Sequence, residues 1–292
     1  MKKVKFIFLM LSILLASCSS DDDAVMTETA EFAVQELSAE QGVLGSEITI
    51  NGTGFPSSTA ELSVTFNGTT ATIKSVTSTA IVVTIPEDAT SGDIIVKYGT
   101  KTLNAGTFAV LKPLVENKVE NLSAPQTGGQ GQPVGGDFTK FDFETGEITT
   151  SDTDWDIAFR GTTIAVNGGA TTGTADEPAR NGEVSVAIAE GIFSNITTAD
   201  GLSFSQDTDQ GFAIPTGSDN GWYNYSGAPN HLITPIPGKI LVFKTSNGNY
   251  AKVEILSYYK DAPANPNVMT NEGRYYTFKY VYNPNVGVTS FE

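Results

Sequence analysis

Very few side chains in this sequence could ligate a metal or act as a nucleophile. There is one cysteine, Cys18, and one histidine, His231, and of the methionines only Met26 and Met269 lie beyond residue 18. An imidazole binds transition metals through a ring nitrogen, a thioether prefers soft ions, and a phenol can supply an oxygen. His231 lies in Ser226-Gly227-Ala228-Pro229-Asn230-His231-Leu232, directly after Gly221-Trp222-Tyr223-Asn224-Tyr225. The candidate donor set is therefore His231 with Met269, or with Tyr223 or Tyr225. The competing reading of His231 is a loop imidazole that donates to a backbone carbonyl. Met269, flanked by Asn-Pro-Asn and Thr-Asn, reads equally as a partly buried loop anchor.

Signals for catalysis are missing where they could be expected. Gly128-Gly129-Gln130-Gly131 lacks the lysine and helix context of a phosphate loop. Asp152, Asp154 and Asp156 alternate beside a turn without the rest of a calcium-loop pattern. No serine near His231 sits in a strained strand-to-helix turn. The expectation is a binding protein and not an enzyme, although a pair of carboxylates cannot be located or dismissed from sequence. A net charge of −16 repels phosphate backbones and argues against nucleic acid as a partner.

The elements that must position these residues are strands. Charged residues make up only 17% of the 292, and apolar stripes of helical period are scarce after the first twenty residues, while glycine is abundant at 29. Leu62 to Phe66 leads into Asn67-Gly68, a hairpin signal, and Ala80 to Ile85 alternates before Pro86. Further on, Phe138 to Phe143 alternates, Trp155 to Arg160 reads as an amphipathic strand, and Lys239–Phe243 and Tyr250–Ile255 flank an Asn-Gly-Asn turn. Tyr275 to Tyr282 is the most strand-like stretch of all. Period two puts Tyr223 and Tyr225 on one face and Trp222 and Asn224 on the other. Residues 167–182, rich in Gly, Thr and Asp, predict a long exposed loop.

The N-terminus addresses the compartment. Met1-Lys2-Lys3-Val4-Lys5 is positive, Phe6 to Leu15 is apolar and too short to remain as a membrane span, and Leu15-Ala16-Ser17-Cys18 follows. This arrangement resembles the bacterial lipobox, in which the cysteine thiol is acylated, for example with palmitate, and becomes the new N-terminus. The resemblance implies a signal peptide over 1–18, lipidation at Cys18 and a membrane partner reached through the acyl chains. Residues 19–32 are expected to form an acidic flexible tether. Ser19-Ser20-Asp21-Asp22-Asp23 is similar to the run that follows the lipidated cysteine in surface lipoproteins of Bacteroidetes-type bacteria, which implies an outer-membrane protein exposed on the cell surface.

Two family resemblances organise the remainder. Gly45 to Phe55, Val64-Thr65-Phe66-Asn67-Gly68, Ile81 to Pro86 and Ser91-Gly92 resemble an IPT/TIG domain in order and spacing, which implies an immunoglobulin-like sandwich over 33–111 acting as a spacer. Residues 112–120 read as an extended linker. Trp155 to Phe159, Gly221 to Tyr225, Lys239 to Tyr259 and Arg274 to Tyr282 resemble the HmuY family of surface lipoproteins, which implies an antiparallel β domain over 121–292. The fold class expected is all-β. Characterised members bind haem and pass it toward an outer-membrane receptor, so the resemblance implies haem as a possible cofactor and that receptor as a possible partner, with His231, in the neighbourhood of one family ligand though out of its register, as the candidate iron ligand. By the family's register the two ligand positions fall at Gly227 and near Leu202, neither of which binds iron, so ligation by two histidines is excluded within one chain. Recognition of glycan or protein by exposed loops and aromatics, and a carboxylate-based surface hydrolase, are the rival readings.

Overall fold

The computed structural model describes residues 30–129 and 131–292. Cys18, the segment 1–18 and residues 19–29 of the expected tether, Met26 among them, lie outside the described residues. Residues 30–32, expected to belong to that tether, are part of the first domain. The Phe32 ring packs 5.8 Å from that of Phe55 and 5.7 Å from that of Tyr98, and Thr53 Oγ1 donates to the Glu31 carbonyl at 2.8 Å. A buried aromatic of this size joins the core wherever the chain can bring it there.

The first domain is built from β1 (Ala33–Leu37), β2 (Gln41–Val43), β3 (Glu47–Thr53), β4 (Leu62–Phe66), β5 (Thr69–Thr70), β6 (Thr72–Val76), β7 (Ala80–Thr84), β8 (Gly92–Tyr98) and β9 (Lys101–Leu111). They form two sheets, ordered β1-β3-β7-β6 and β2-β9-β8-β4-β5, with β2 parallel to β9 and every other pair antiparallel. Alternate residues turn inward, so Ile48, Ile50, Ile81 and Val83 of one sheet share a core with Val64, Phe66, Ile94 and Val96 of the other. Asn67 and Gly68 have φ of 43° and 90°, the double left-handed geometry that a two-residue hairpin loop between β4 and β5 requires.

The second domain contains β10 (Val115–Ser123), β11 (Thr127–Gly129), β12 (Gln132–Gly135), β13 (Thr139–Asp142), β14 (Glu147–Thr149), β15 (Ile157–Arg160), β16 (Thr163–Val166), β17 (Ser185–Glu190), β18 (Tyr223–Tyr225), β19 (Ile233–Pro235), β20 (Lys239–Lys244), β21 (Tyr250–Tyr259) and β22 (Gly273–Asn283). Five strands, β10-β22-β21-β20-β17, make the main sheet, and four, β14-β13-β15-β16, make the sheet facing it, while β11-β12 and β18-β19 are separate hairpins. Both faces of the main sheet are covered, which explains why Ile240-Leu241-Val242-Phe243 of β20 reads as a continuous apolar run. Inward, Tyr276, Phe278, Tyr280 and Tyr282 of β22 pack with Phe141, Phe143 and Phe159, the Phe159 and Tyr276 rings lying 4.7 Å apart. Outward, Ile240, Val242 and Val281 are covered by Phe193, Leu202, Phe204 and the C-terminal Phe291.

The expected linker 112–120 is largely a strand. From Val115 onward the chain runs along β22 as the edge of the main sheet, Val115 opposite Tyr282 and Val119 opposite Phe278, so only Lys112–Leu114 separate β9 from β10. Glu116, Lys118 and Glu120 gave this stretch its linker-like look, and such charges are what an exposed edge strand carries to discourage further pairing. The three connecting residues are themselves held, since Lys112 N–H donates to Asn285 Oδ1 and Asn285 Nδ2 donates to the Lys112 carbonyl, both at 2.8 Å.

The 167–182 segment is exposed over much of its length, yet it is stapled down. The buried Asn167 side chain accepts from Asn181 and Gly182 N–H and donates to the Thr153 and Trp155 carbonyls. Arg180 reaches Asp207 at 2.8 Å and Glu177 at 3.3 Å with all three side chains almost fully buried. Arg160 donates to the Ala175 and Gly136 carbonyls from beneath. The loop thus caps the outer face of the four-stranded sheet, where Phe138, Trp155, Ala158 and Ala165 form a small core of their own.

Candidate functional site

His231 is placed by a closed loop. Its N–H donates to the Gly227 carbonyl at 2.7 Å, Ser226 N–H donates to the Leu232 carbonyl at 2.9 Å, and Leu232 N–H returns to Ser226 Oγ at 3.0 Å. His231 itself has φ of 52°, in the left-handed region that a non-glycine residue enters only when its surroundings hold it there. The loop joins β18 to β19, and β19 is tied to the main sheet through Ile233 N–H donating to Tyr259 Oη at 3.0 Å.

The imidazole lines two adjacent cavities. One, of about 520 Å³, lies against the start of β22 and is bounded by Gln126, Tyr258, Tyr259, Asn271, Glu272 and Arg274 among others. The other, of about 500 Å³, is bounded by Pro229, Leu232, Pro266, Val268 and Met269. His231 and Val268 belong to both. Together they form an open cleft, polar and aromatic on the β22 side and mixed on the other, where Asn230 and Asn267 stand among Leu232, Val268 and Met269. Burial pushes the Tyr258 hydroxyl up to about 12, only partly offset by Arg274, so that phenol is a neutral hydrogen-bonding group. Arg274 is exposed and donates through Nη1 to the Gln126 carbonyl at 2.8 Å.

The residues singled out from sequence divide clearly. Tyr225 and His231 meet, with the phenol oxygen hydrogen-bonded to Nδ1 and the ring centroids 5.9 Å apart, end to end. Met269, 87% exposed, lines the second cavity together with His231. Tyr223 does not take part. It is 7% exposed, its ring lies 5.0 Å from that of Trp222, and its hydroxyl accepts from Gly217 N–H and Thr162 Oγ1. Tyr223 and Tyr225 do share a face of β18, but the hairpin overhangs the core, so the first packs inward and the second projects past it. Trp222 precedes the strand and is buried as well, its Nε1 donating to the Thr162 carbonyl. Sequence reasoning passed over Tyr258, Tyr259 and Arg274. The tyrosine pair closes a strand-like block with no donor pattern of its own, and nothing local distinguishes Arg274 from any strand-end cation.

Two family models match this chain, one described as IPT/TIG domain over residues 33–110 and one described as HmuY protein over 135–280, half of its length. The chain belongs to the HmuY family. Among solved structures, an apo HmuY analog from Tannerella forsythia is 14% identical, with 60% of this chain and 99% of that one covered and a TM-score of 0.39. A protein from Bacteroides vulgatus assigned as HmuY-like and haem binding is 16% identical, over 59% and 93%, with a TM-score of 0.36. A Bacteroides fragilis protein assigned as a lipoprotein is 16% identical, over 59% and 92%, with a TM-score of 0.35. No curated protein matches the chain. Membership of the HmuY family gives this chain a ligand-binding role.

In this HmuY domain the position near Leu202 lies far from the cleft. Leu202 packs with Phe204 on the outer face of the main sheet and lines neither cavity. Gly227 supplies the turn that closes the His231 loop, with φ of 66°. The residues that could hold a haem here are few. His231 Nε2 makes no hydrogen bond among the described residues, a thioether shares its cavity, and Arg274 offers a cation at the rim. Among the described residues there is no group of three or more His, Cys, Asp or Glu side chains that could hold a metal ion without such a ligand.

Proposed function

We propose that this protein is a lipid-anchored protein of the cell surface whose HmuY domain captures haem in the His231 cleft and gives it up to an outer-membrane receptor. The observation that carries the reading is the position of His231 between two cavities totalling roughly 1000 Å³, with Nε2 unengaged and Met269 on the same wall. His231 Nε2 would hold the iron, Pro229, Leu232 and Val268 would lie against the ring, and Arg274 would pair with carboxylates at the mouth. Haem itself supplies the iron and its colour when bound. Anchoring through acylated Cys18 follows from the lipobox resemblance. No helix among the described residues is long and apolar enough to cross a membrane.

Hemin titrated into the polypeptide 19–292, which keeps every described residue, is expected to give a sharpened, shifted Soret band saturating at one equivalent. His231→Ala is expected to abolish the shift. A spectrum that stays that of free hemin refutes the haem reading. One observation favours a second ligand class, namely the ring of hydrogen-bonding groups and tyrosines around the polar cavity, Gln126, Asn271, Glu272, Tyr258 and Tyr259, which suits a sugar ring. Glycan binding that survives His231→Ala, with hemin silent, would decide for it.

A further inference from the structure

We propose that Tyr225 is the positioning residue of the cleft, engaging His231 Nδ1 and so fixing Nε2 as the ring atom offered to a ligand. The identity of that ligand rests on the reading above; the positioning itself does not. One contact holds the ring, the hydrogen bond between Tyr225 Oη and Nδ1, with the two rings end to end and their planes inclined at 30°. Tyr225 is in turn held by backbone, because its N–H donates to Ser218 Oγ at 2.8 Å and it pairs with Ile233 across the β18–β19 hairpin. The loop that carries His231 and the strand that carries Tyr225 are thus parts of one hairpin, anchored to the domain through Ser218 and Tyr259.

The chemistry follows from what a phenol can do. Its oxygen both donates and accepts, so it can serve Nδ1 in either neutral tautomer of the ring. When Nδ1 carries the proton and donates it to the phenol oxygen, Nε2 is left with an unshared pair facing the cavity. That tautomer is reached by loss of one proton from Nε2 to water and gain of one at Nδ1, with no net change. The phenol proton then turns outward, which is open to it because Tyr225 is 42% exposed. Outer partners of this kind fix ring orientation and raise the basicity of the ligating nitrogen.

The test exploits the single histidine of the chain, since its ring gives one pair of ¹⁵N resonances with no assignment problem. Spectra of ligand-free wild type and Tyr225→Phe are compared at about pH 8.5, well above the usual imidazole range. The expected result is a change at Nδ1 larger than at Nε2 and an altered tautomer ratio, with the amide resonances of Ser226 to Leu232 kept in place. Ring resonances that superimpose in the two proteins overturn the inference. In the hemin titration Tyr225→Phe is expected to weaken binding at least about tenfold without abolishing it. An unchanged hemin affinity beside a shifted ring also overturns the positioning role. If hemin binds neither protein, the haem reading fails and the ring resonances alone decide this inference. Should Tyr225→Phe disturb the hairpin amides, Tyr225→Leu, which lacks both donor and acceptor, replaces it under the same criteria.

Discussion

Asp156 offers the sharpest test of how the second domain is held together. It lies at the entry to β15 and is 7% exposed, and its Oδ2 accepts the Phe143 N–H at 2.9 Å. Burial pushes its carboxyl up to about 7 from 3.8, and the nearby Asp142 and Glu144 add to that against the single backbone hydrogen bond. The unfolded chain releases this proton near 3.8, while the folded chain keeps it to about 7. Between those values the native state binds one proton more, so this group makes stability fall as pH rises across that window and adds nothing further above it. A gap of about three pH units at roughly 1.4 kcal/mol each makes the loss about 4 kcal/mol.

Asp156→Asn removes the titration and keeps an oxygen for the Phe143 N–H. The variant is expected to be close to wild type at about pH 4 and more stable by up to about 4 kcal/mol at about pH 8. For a domain of this size that is a rise in Tm on the order of 10 °C. Urea denaturation and calorimetry across the range, following the transition of the second domain, give the comparison. Parallel stability curves for the two proteins from pH 4 to pH 8 would refute the reasoning, because they would mean that Asp156 titrates alike in both states.

Two further outcomes can be checked directly. Arg180→Met strands Asp207 and Glu177 as buried carboxylates and is expected to cost about 3–5 kcal/mol by urea unfolding at neutral pH. The cost should ease in acid, since burial already pushes the Asp207 carboxyl upward and protonation relieves it. Expression with labelled palmitate is expected to mark the wild-type chain and not Cys18→Ala, and label in both or in neither would remove the anchor from the functional reading.

What could be read in advance was what periodicity and turn chemistry encode. Asn67-Gly68 forms the hairpin that its residue types demand, and the aromatic alternation at Tyr276, Phe278 and Tyr280 marks the inner face of β22. The edge strand β10 was hidden because its partner β22 lies more than 150 residues away and its own charges imitate a linker. Tyr223 was misplaced for a related reason. Period two gives the face of a strand but not where the strand stops overlying the core, and β18 is three residues long. The staple under 167–182 depends on Arg180 finding Asp207 27 residues on, which leaves no local signal at all. At the site, the His231–Tyr225 contact is short-range, and those two residues were singled out from sequence. Arg274 and Tyr258 reach the same cleft only through the long β21–β22 pairing.

The packing also limits where a ligand can enter. A flat molecule inserted between the two sheets would have to displace Phe141, Phe159 and Phe278, whose rings already lie 5.4 to 5.7 Å apart, and interiors at this density give no such room. The outer face of the main sheet is closed by the Phe193–Phe204 segment and the C-terminus, with Lys252 Nζ donating to the Phe193 and Ile196 carbonyls at 3.0 and 2.9 Å. The outer face of the other sheet lies under the stapled loop. Open cavities of about 540 and 550 Å³ remain at the margins of these two faces, beside Glu177 and beside Phe193. The His231 cleft stands at the beginning of β22, beside Arg274, whereas Asn285, which grips the interdomain residue Lys112, follows its end. Eleven residues of strand separate the two, roughly 30 Å. The cleft therefore opens at the end of the second domain opposite the point where the IPT/TIG domain joins.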